Sequence, residues 1–282
     1  MTRRRLRFPR LRPGVRRAFR ALRRAPPGLR FVVVATLAIG LWAAGNWVYH
    51  AFRKPTELLF PVSGTLAKTP AETWREYGPQ FRKYATAVIT PELLAALAQV
   101  ESAGNPLAQT YWQWNLTWHP LELYRPASSA VGMYQITDGT FAQTRRECRQ
   151  GPGGPQGDSS RGPGSCWFDS LYTRLVPSQA IELTATLLDR AVAATLKRQR
   201  IAGATLQHKQ DLAAVIHLCG AGAGEAFARR AFRLTPGQQC GDHEVRAYLA
   251  RVNDMKRLFA RLAGAQGHAA DALPAAGAQA WR

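Results

Sequence analysis

Hydrophobic and polar positions divide the chain into five stretches. Residues 1–30 scatter apolar residues among arginines and hold no sustained period. From Phe31 to Phe52 the chain reads FVVVATLAIGLWAAGNWVYHAF, apolar on every face and without a formal charge. Residues 53–70 are interrupted by Pro55, Pro61, Gly64 and Pro70 and read as a linker. Residues 71–262 carry apolar positions at helical spacing, and residues 263–282 are an Ala- and Gly-rich tail expected to be flexible.

Within 71–262 the punctuation predicts individual helices. Thr90-Pro91-Glu92 supplies an N-cap, a first-turn proline and an early acid, ahead of Leu93, Leu94, Leu97 and Ala98. Thr137 can cap a shorter helix over 138–149, and the Gly- and Pro-rich run 150–164 reads as a loop. Pro177 opens an amphipathic helix to about Gln199, burying Ile181, Leu183, Leu187, Leu188 and Val192. Residues 211–219 read as a core helix. Residues 245–262 close the domain with Leu249, Val252, Met255 and Leu258/Phe259 in phase. Strand signals are scarce and no repeat is evident. The expected architecture is all-α or α-dominated, preceded by one isolated apolar helix.

Charge changes the reading of that first helix. The net charge is +20, from 38 basic and 18 acidic residues. Residues 1–54 hold 14 of the basic residues and no acid, so the rest of the chain carries only +6. An arginine-rich arm points to nucleic acid or to an anionic membrane surface, and the apolar run decides for the membrane. At about 1.5 Å per residue, residues 31–52 make a helix of about 33 Å, enough for a hydrocarbon core of about 30 Å. Trp42, Trp47 and Tyr49 gather where interfacial rings belong, and 12 arginines precede the run. The positive-inside bias then predicts a cytoplasmic arm (1–30), a transmembrane anchor (31–52) and an exported remainder. Ala43-Ala44-Gly45 also admits signal-peptide cleavage, but the run is long for a signal and the arm long for its basic region. No nucleic-acid partner is expected.

Cys148, Cys166, Cys219 and Cys240 all follow the anchor, and none forms a Cys-x-x-Cys pair. An even number in an exported domain favours disulfides over a zinc site. Pairing of sequence neighbours is one of three possible connectivities, and buried free thiols are the alternative.

Glu101 is the residue that stands out. It falls four after Leu97, seven after Leu94 and three after Ala98, on the apolar stripe of its helix, which Ser102-Ala103-Gly104-Asn105-Pro106 then ends. A carboxylate in the last turn faces the negative end of the helix dipole, and apolar neighbours withhold solvation. Both favour the protonated form that a general acid uses. A glutamate bending into solvent at a fraying end is the bland alternative.

Further on, Val131-Gly132-Met133-Tyr134-Gln135-Ile136-Thr137 precedes another helix. Glu101-Ser102-x-x-Asn105-Pro106 with Gly132-Met133-Tyr134-Gln135 resembles the soluble lytic transglycosylase (SLT-like) family, related to goose-type lysozyme. Ile216-His217-Leu218-Cys219-Gly220-Ala221-Gly222 looks like a degenerate form of that family's Ala-Tyr-Asn-Ala-Gly-x-Gly element, and the likeness spans roughly residues 80–260. The resemblance implies a lysozyme-like helical domain acting on peptidoglycan glycan strands. A single glutamate would protonate the bond between N-acetylmuramic acid and N-acetylglucosamine. It would then take the proton of the muramic 6-hydroxyl, which closes a 1,6-anhydro ring. By motif match Glu101 is that catalytic residue. Ser102, Gly132, Met133, Tyr134, Gln135 and His217 are the substrate-binding candidates, Gly132 by permitting close approach of the backbone. No metal or cofactor is implied.

Several positions depart from the family pattern. His217 stands for the family's tyrosine and Leu218 for its asparagine; His217 either orients Glu101 or substrate, or is a core histidine. Pro126 occupies the position of a serine whose contacts Ser128 or Ser129 could assume. The stretch between Asn105 and Val131 is longer than expected and holds Tyr111, Trp112, Trp114, Trp118, His119 and Tyr124. It either lines the glycan groove or forms a satellite core. Glu122 is the nearest other carboxylate, with nothing to set it opposite Glu101. Glu182, Glu225 and Asp242 read as surface or capping residues. The expectation is therefore an inner-membrane, single-pass lytic transglycosylase with a periplasmic catalytic domain. A hydrolytic muramidase or a non-catalytic wall-binding scaffold, with envelope-machine proteins as partners, are the alternatives.

Overall fold

The computed structural model describes residues 20–142 and 174–271, which fall into two units. One comprises residues 20–53 and 113–125; the other comprises residues 54–112, 126–142 and 174–271. The expected helix and loop between 143 and 164, Cys148 and Cys166, most of the basic arm and the end of the tail lie outside the described residues.

In the first unit, helix α1 (Pro27–Arg53) contains the apolar run and is exposed along most of its length, including Phe31, Val32, Val34, Leu37, Ile39 and Leu41. It is long and apolar enough to cross a membrane. Beside its second half lies a hairpin, with short strands β1 (Trp112–Trp114) and β2 (Tyr124–Pro126) and a 3₁₀ turn at Pro120–Glu122. Trp42 stacks on Trp114, with ring centroids 6.0 Å apart, and Trp114 in turn meets Tyr124 at 5.0 Å.

The second unit is helical and built round one central helix. Short turns at Pro55–Leu59, Phe60–Ser63 and Gly64–Leu66 occupy most of the expected linker. They lead into α2 (Pro70–Tyr84), which a Thr69/Glu72 capping box starts. Helix α3 (Pro91–Ser102) begins at Thr90, whose side chain accepts the Leu93 N–H. Every residue from Leu93 to Ala98 is buried, so α3 is wrapped on all sides. The alanines 95, 96 and 98 leave room for close neighbours, and burial of each leucine contributes about 1.5–3 kcal/mol. The packing partners are α2, α4 (Pro177–Arg198) and α6 (Val245–Asp271), while α4 also packs on α5 (Leu206–Arg229).

Two features exceed the sequence pattern. Helix α5 runs well beyond 211–219 but breaks at Gly220, whose φ of 80° and ψ of 172° leave the helical region. Helix α6 continues past Leu262 to Asp271. A disulfide joins Cys219, at the α5 break, to Cys240 in β3 (Gln239–Cys240), which pairs antiparallel with β4 (His243–Glu244).

Candidate active site

Glu101 sits in the last turn of α3 and belongs to the second unit. The helix stops because Ala103 adopts the left-handed conformation, with φ of 52°, and returns its N–H to Ala98 and Gln99 carbonyls. Asn105 then holds the turn, its Oδ1 accepting the Leu107 N–H at 2.9 Å and its Nδ2 donating to the Ser63 carbonyl. Lys68 N–H donates to the Ala103 carbonyl at 2.8 Å, and Gln99 Nε2 donates to the Lys68 carbonyl at 3.0 Å. The turns preceding α2 therefore brace the end of α3.

The Glu101 side chain is 15% exposed, so it touches solvent from an otherwise packed position. Tyr248, from α6, donates its hydroxyl to Glu101 Oε1 at 2.5 Å. His217, from α5, brings Nε2 to 3.6 Å of the same oxygen. Tyr134 meets the His217 ring edge-on at 6.5 Å and donates its hydroxyl to the Leu94 carbonyl at 3.2 Å. Burial, then the nearby Glu101 charge and the hydrogen bond to it, push the Tyr248 hydroxyl well above its ordinary value. It therefore remains a donor at any physiological pH. Burial alone does the same to Tyr134. Both contacts from Tyr248 and His217 fall on Oε1, leaving Oε2 outside them.

The segment 131–136 forms a tight turn closed by reciprocal Val131 and Ile136 backbone bonds at 3.3 and 3.1 Å. Gly132 has φ of 79°, and a Cβ there would lie 2.1 Å from the Arg174 carbonyl oxygen. The close approach this glycine allows is thus to the protein's own backbone. Arg174 is buried, pairs with Asp138 at 2.7 Å and donates to the Ile136 carbonyl at 3.1 Å. Met133 is buried, and its carbonyl lies 2.9 Å from the Ser102 hydroxyl, tying the turn to the end of α3. Gln135 takes a positive φ of 48° and directs Nε2 to the Ala108 and Gly132 carbonyls at 3.2 and 3.0 Å.

Of the sequence candidates, Glu101, Ser102, Met133, Tyr134 and His217 form one connected group, which Tyr248 completes. Gly132 and Gln135 shape the turn beside it. Ser129 accepts the Asp138 N–H and Ser128 the Ala130 N–H, which gives both hydroxyls local structural duties. Glu122 pairs inside the first unit with Arg53 at 3.0 Å and Tyr49 at 3.4 Å. Asp242 accepts from Tyr111, and Glu225 pairs with Arg198 at 2.8 Å. Among the described residues no cluster of three or more His, Cys, Asp or Glu side chains is placed to hold a metal.

Sequence reasoning missed Tyr248 and Glu57. Tyr248 lies on the apolar stripe of its helix, and a buried tyrosine hydroxyl needs a partner, which was the available signal. Glu57, fully buried, accepts from Trp112 Nε1 at 2.9 Å and pairs with Lys54 at 3.1 Å. Its position among prolines gave no periodicity to mark it.

A search of curated proteins found no match. A family model described as the transglycosylase SLT domain matches residues 80–205, a span containing Glu101, Ser102 and the 132–135 turn but ending before His217 and Tyr248. A lysozyme-like helical fold and a lytic-transglycosylase-type action on peptidoglycan go with that domain. Residues 80–205 of this chain are a transglycosylase SLT domain.

Proposed function

We propose that this chain is a membrane-anchored lytic transglycosylase that cleaves the bond between N-acetylmuramic acid and N-acetylglucosamine with Glu101 as acid and then base. The observation that carries the reading is the Glu101 carboxyl, partly exposed at the end of a buried helix with one oxygen held by Tyr248. With Oε1 occupied as an acceptor, Oε2 is the oxygen that bears the proton. It gives that proton to the glycosidic oxygen as the C1–O bond breaks, and the N-acetylglucosamine side leaves as an alcohol. The carboxylate then removes the proton from the muramic 6-hydroxyl, whose oxygen bonds to C1. No water is consumed, and Glu101 ends protonated as it began. Charge develops on Glu101 during the first step, and the bond from Tyr248 strengthens with it. A second carboxylate is unnecessary because the substrate supplies its own nucleophile.

Helix α1 is the anchor in this reading, with the arginine-rich side in the cytoplasm and the second unit in the periplasm of the inner membrane. Support comes from its length, its lipid-compatible exposed surface and the arginines ahead of it. Full-length protein in detergent should release soluble fragments from peptidoglycan sacculi, and Glu101→Gln, folded by circular dichroism, should not. Retained release by Glu101→Gln removes Glu101 from the chemistry. A reporter fused after residue 60 should be periplasmic, and a cytoplasmic signal would reverse the topology.

A further inference from the structure

The hairpin 113–125 interrupts the SLT domain in sequence, yet it packs along α1. Its contacts with α1 are polar and specific. Trp42 Nε1 donates to the Pro120 carbonyl at 2.9 Å, and Asn46 Nδ2 donates to the Tyr124 carbonyl at 2.7 Å. Arg53 and Tyr49 both reach Glu122. Trp42, Asn46, Tyr49 and Arg53, along the second half of an otherwise apolar helix, are thus met by the hairpin. The rest of the hairpin is the reverse: Leu116 and Trp118 are fully exposed, and Trp114, though stacked on Trp42, is 72% exposed. Nothing else in the described chain covers them.

The level of these side chains along α1 indicates what does. Trp42, stacked on Trp114, lies about 16 Å from Arg53 at about 1.5 Å per residue. The Arg53–Glu122 pair is charged and belongs in the headgroup layer. Trp42 and Trp114 then lie about 5–10 Å beneath the headgroup–acyl boundary, the depth at which interfacial apolar surfaces settle and indole rings are favoured. Placing the hairpin wholly in water would leave only residues 27–41 of α1 for lipid, about 22 Å of helix against a core of about 30 Å. Its irregular backbone keeps it from the bilayer centre, where unpaired polar groups have no partner. The boundary is the position that satisfies both limits.

We infer that the 113–125 hairpin is a second membrane contact, inserting Trp114, Leu116 and Trp118 into the outer leaflet of the bilayer that α1 spans. It rests on the reading of α1 as an anchor. The 113–125 part of the aromatic stretch is on this account a lipid-facing element, and the hairpin and α1 enter the membrane together.

The test uses the full-length protein reconstituted into vesicles of phosphatidylethanolamine and phosphatidylglycerol, unlabelled or brominated on acyl carbons near the headgroup. Subtracting the fluorescence of Trp118→Phe from that of the unaltered chain isolates Trp118, whose exposed ring makes the exchange structurally benign. Resistance of the same preparation to alkaline carbonate extraction reports on the anchor separately. The expected result is a carbonate-resistant protein whose Trp118 emission is blue-shifted and largely lost in brominated vesicles. A carbonate-resistant protein with water-like, unquenched Trp118 overturns the hairpin insertion and leaves the anchor standing. Blue-shifted but unquenched emission assigns the strip to a protein partner and also overturns it. Extraction by carbonate overturns the anchor, and the insertion with it.

Discussion

Replacing Tyr248 with phenylalanine isolates one hydroxyl beside the proposed catalytic carboxyl. The ring is buried on α6 and would keep its packing, so the change removes only the 2.5 Å bond to Glu101 Oε1. A hydrogen bond to a charged group contributes about 1.5–3 kcal/mol, roughly twice that to a neutral one. In the proposed mechanism Glu101 is the acid of the first step and acquires charge as the glycosidic bond breaks. The difference between the two states, about 1–2 kcal/mol, is therefore felt in the transition state and not in the Michaelis complex. At about 1.4 kcal/mol per factor of ten, kcat should fall about 5- to 30-fold with KM changed little. Water reaching the partly exposed carboxylate would move the loss toward the lower figure. The assay is turnover of soluble glycan strands at varied concentration, with circular dichroism and a melting curve to establish folding. A folded variant with kcat within twofold of the unaltered enzyme refutes the argument. So does a loss confined to KM, which would make Tyr248 a substrate-binding residue.

Gly132→Ala should lower stability by about 3 kcal/mol or more, because the new Cβ would meet backbone and the residue would hold a strained φ. An unchanged denaturation midpoint would contradict that geometry. Reducing the Cys219–Cys240 disulfide, with its separation of 21 residues, should cost about 3 kcal/mol and lower Tm. No shift in Tm, with reduction verified by thiol labelling, would show that the cross-link is energetically idle. Tyr134 and Tyr248 both have hydroxyls raised above the ordinary 10.0 by burial, so folding opposes their ionisation. Their contribution is complete below about pH 10 and is lost as pH rises above it, where unfolded tyrosines ionise and folded ones cannot. Tm should therefore drop above about pH 10, less steeply in Tyr248→Phe; equal slopes would contradict the burial argument.

The helices were legible where local signals agree. Thr90-Pro91 and Pro177 start their helices as the capping rules expect, and Thr137 accepts the Thr140 N–H at 3.2 Å at the head of another. Glu101 was legible because one charged residue on an apolar stripe conflicts with its surroundings, and such conflicts gather at functional sites. Tyr248 was not, since its partner is 147 residues away and a tyrosine on a helix face carries no mark of what its hydroxyl meets. The hairpin was read only as an aromatic-rich stretch. Its strands are three residues each, too short for alternation to show, and its polar bonds go to a helix some 70–80 residues earlier. The helix break at Gly220 was hidden inside a run of small residues that is compatible with continued helix. Gly132 could be marked as a position of close approach, but whether substrate or the Arg174 carbonyl approaches is a tertiary fact.

The most direct test of the central claim is mass spectrometry of the fragments that full-length protein releases from peptidoglycan. The account predicts muropeptides ending in 1,6-anhydromuramic acid, lighter by one water than hydrolysis products and absent with Glu101→Gln. Fragments with free reducing ends would contradict it and make the enzyme a muramidase. No fragments from folded protein would contradict catalysis itself.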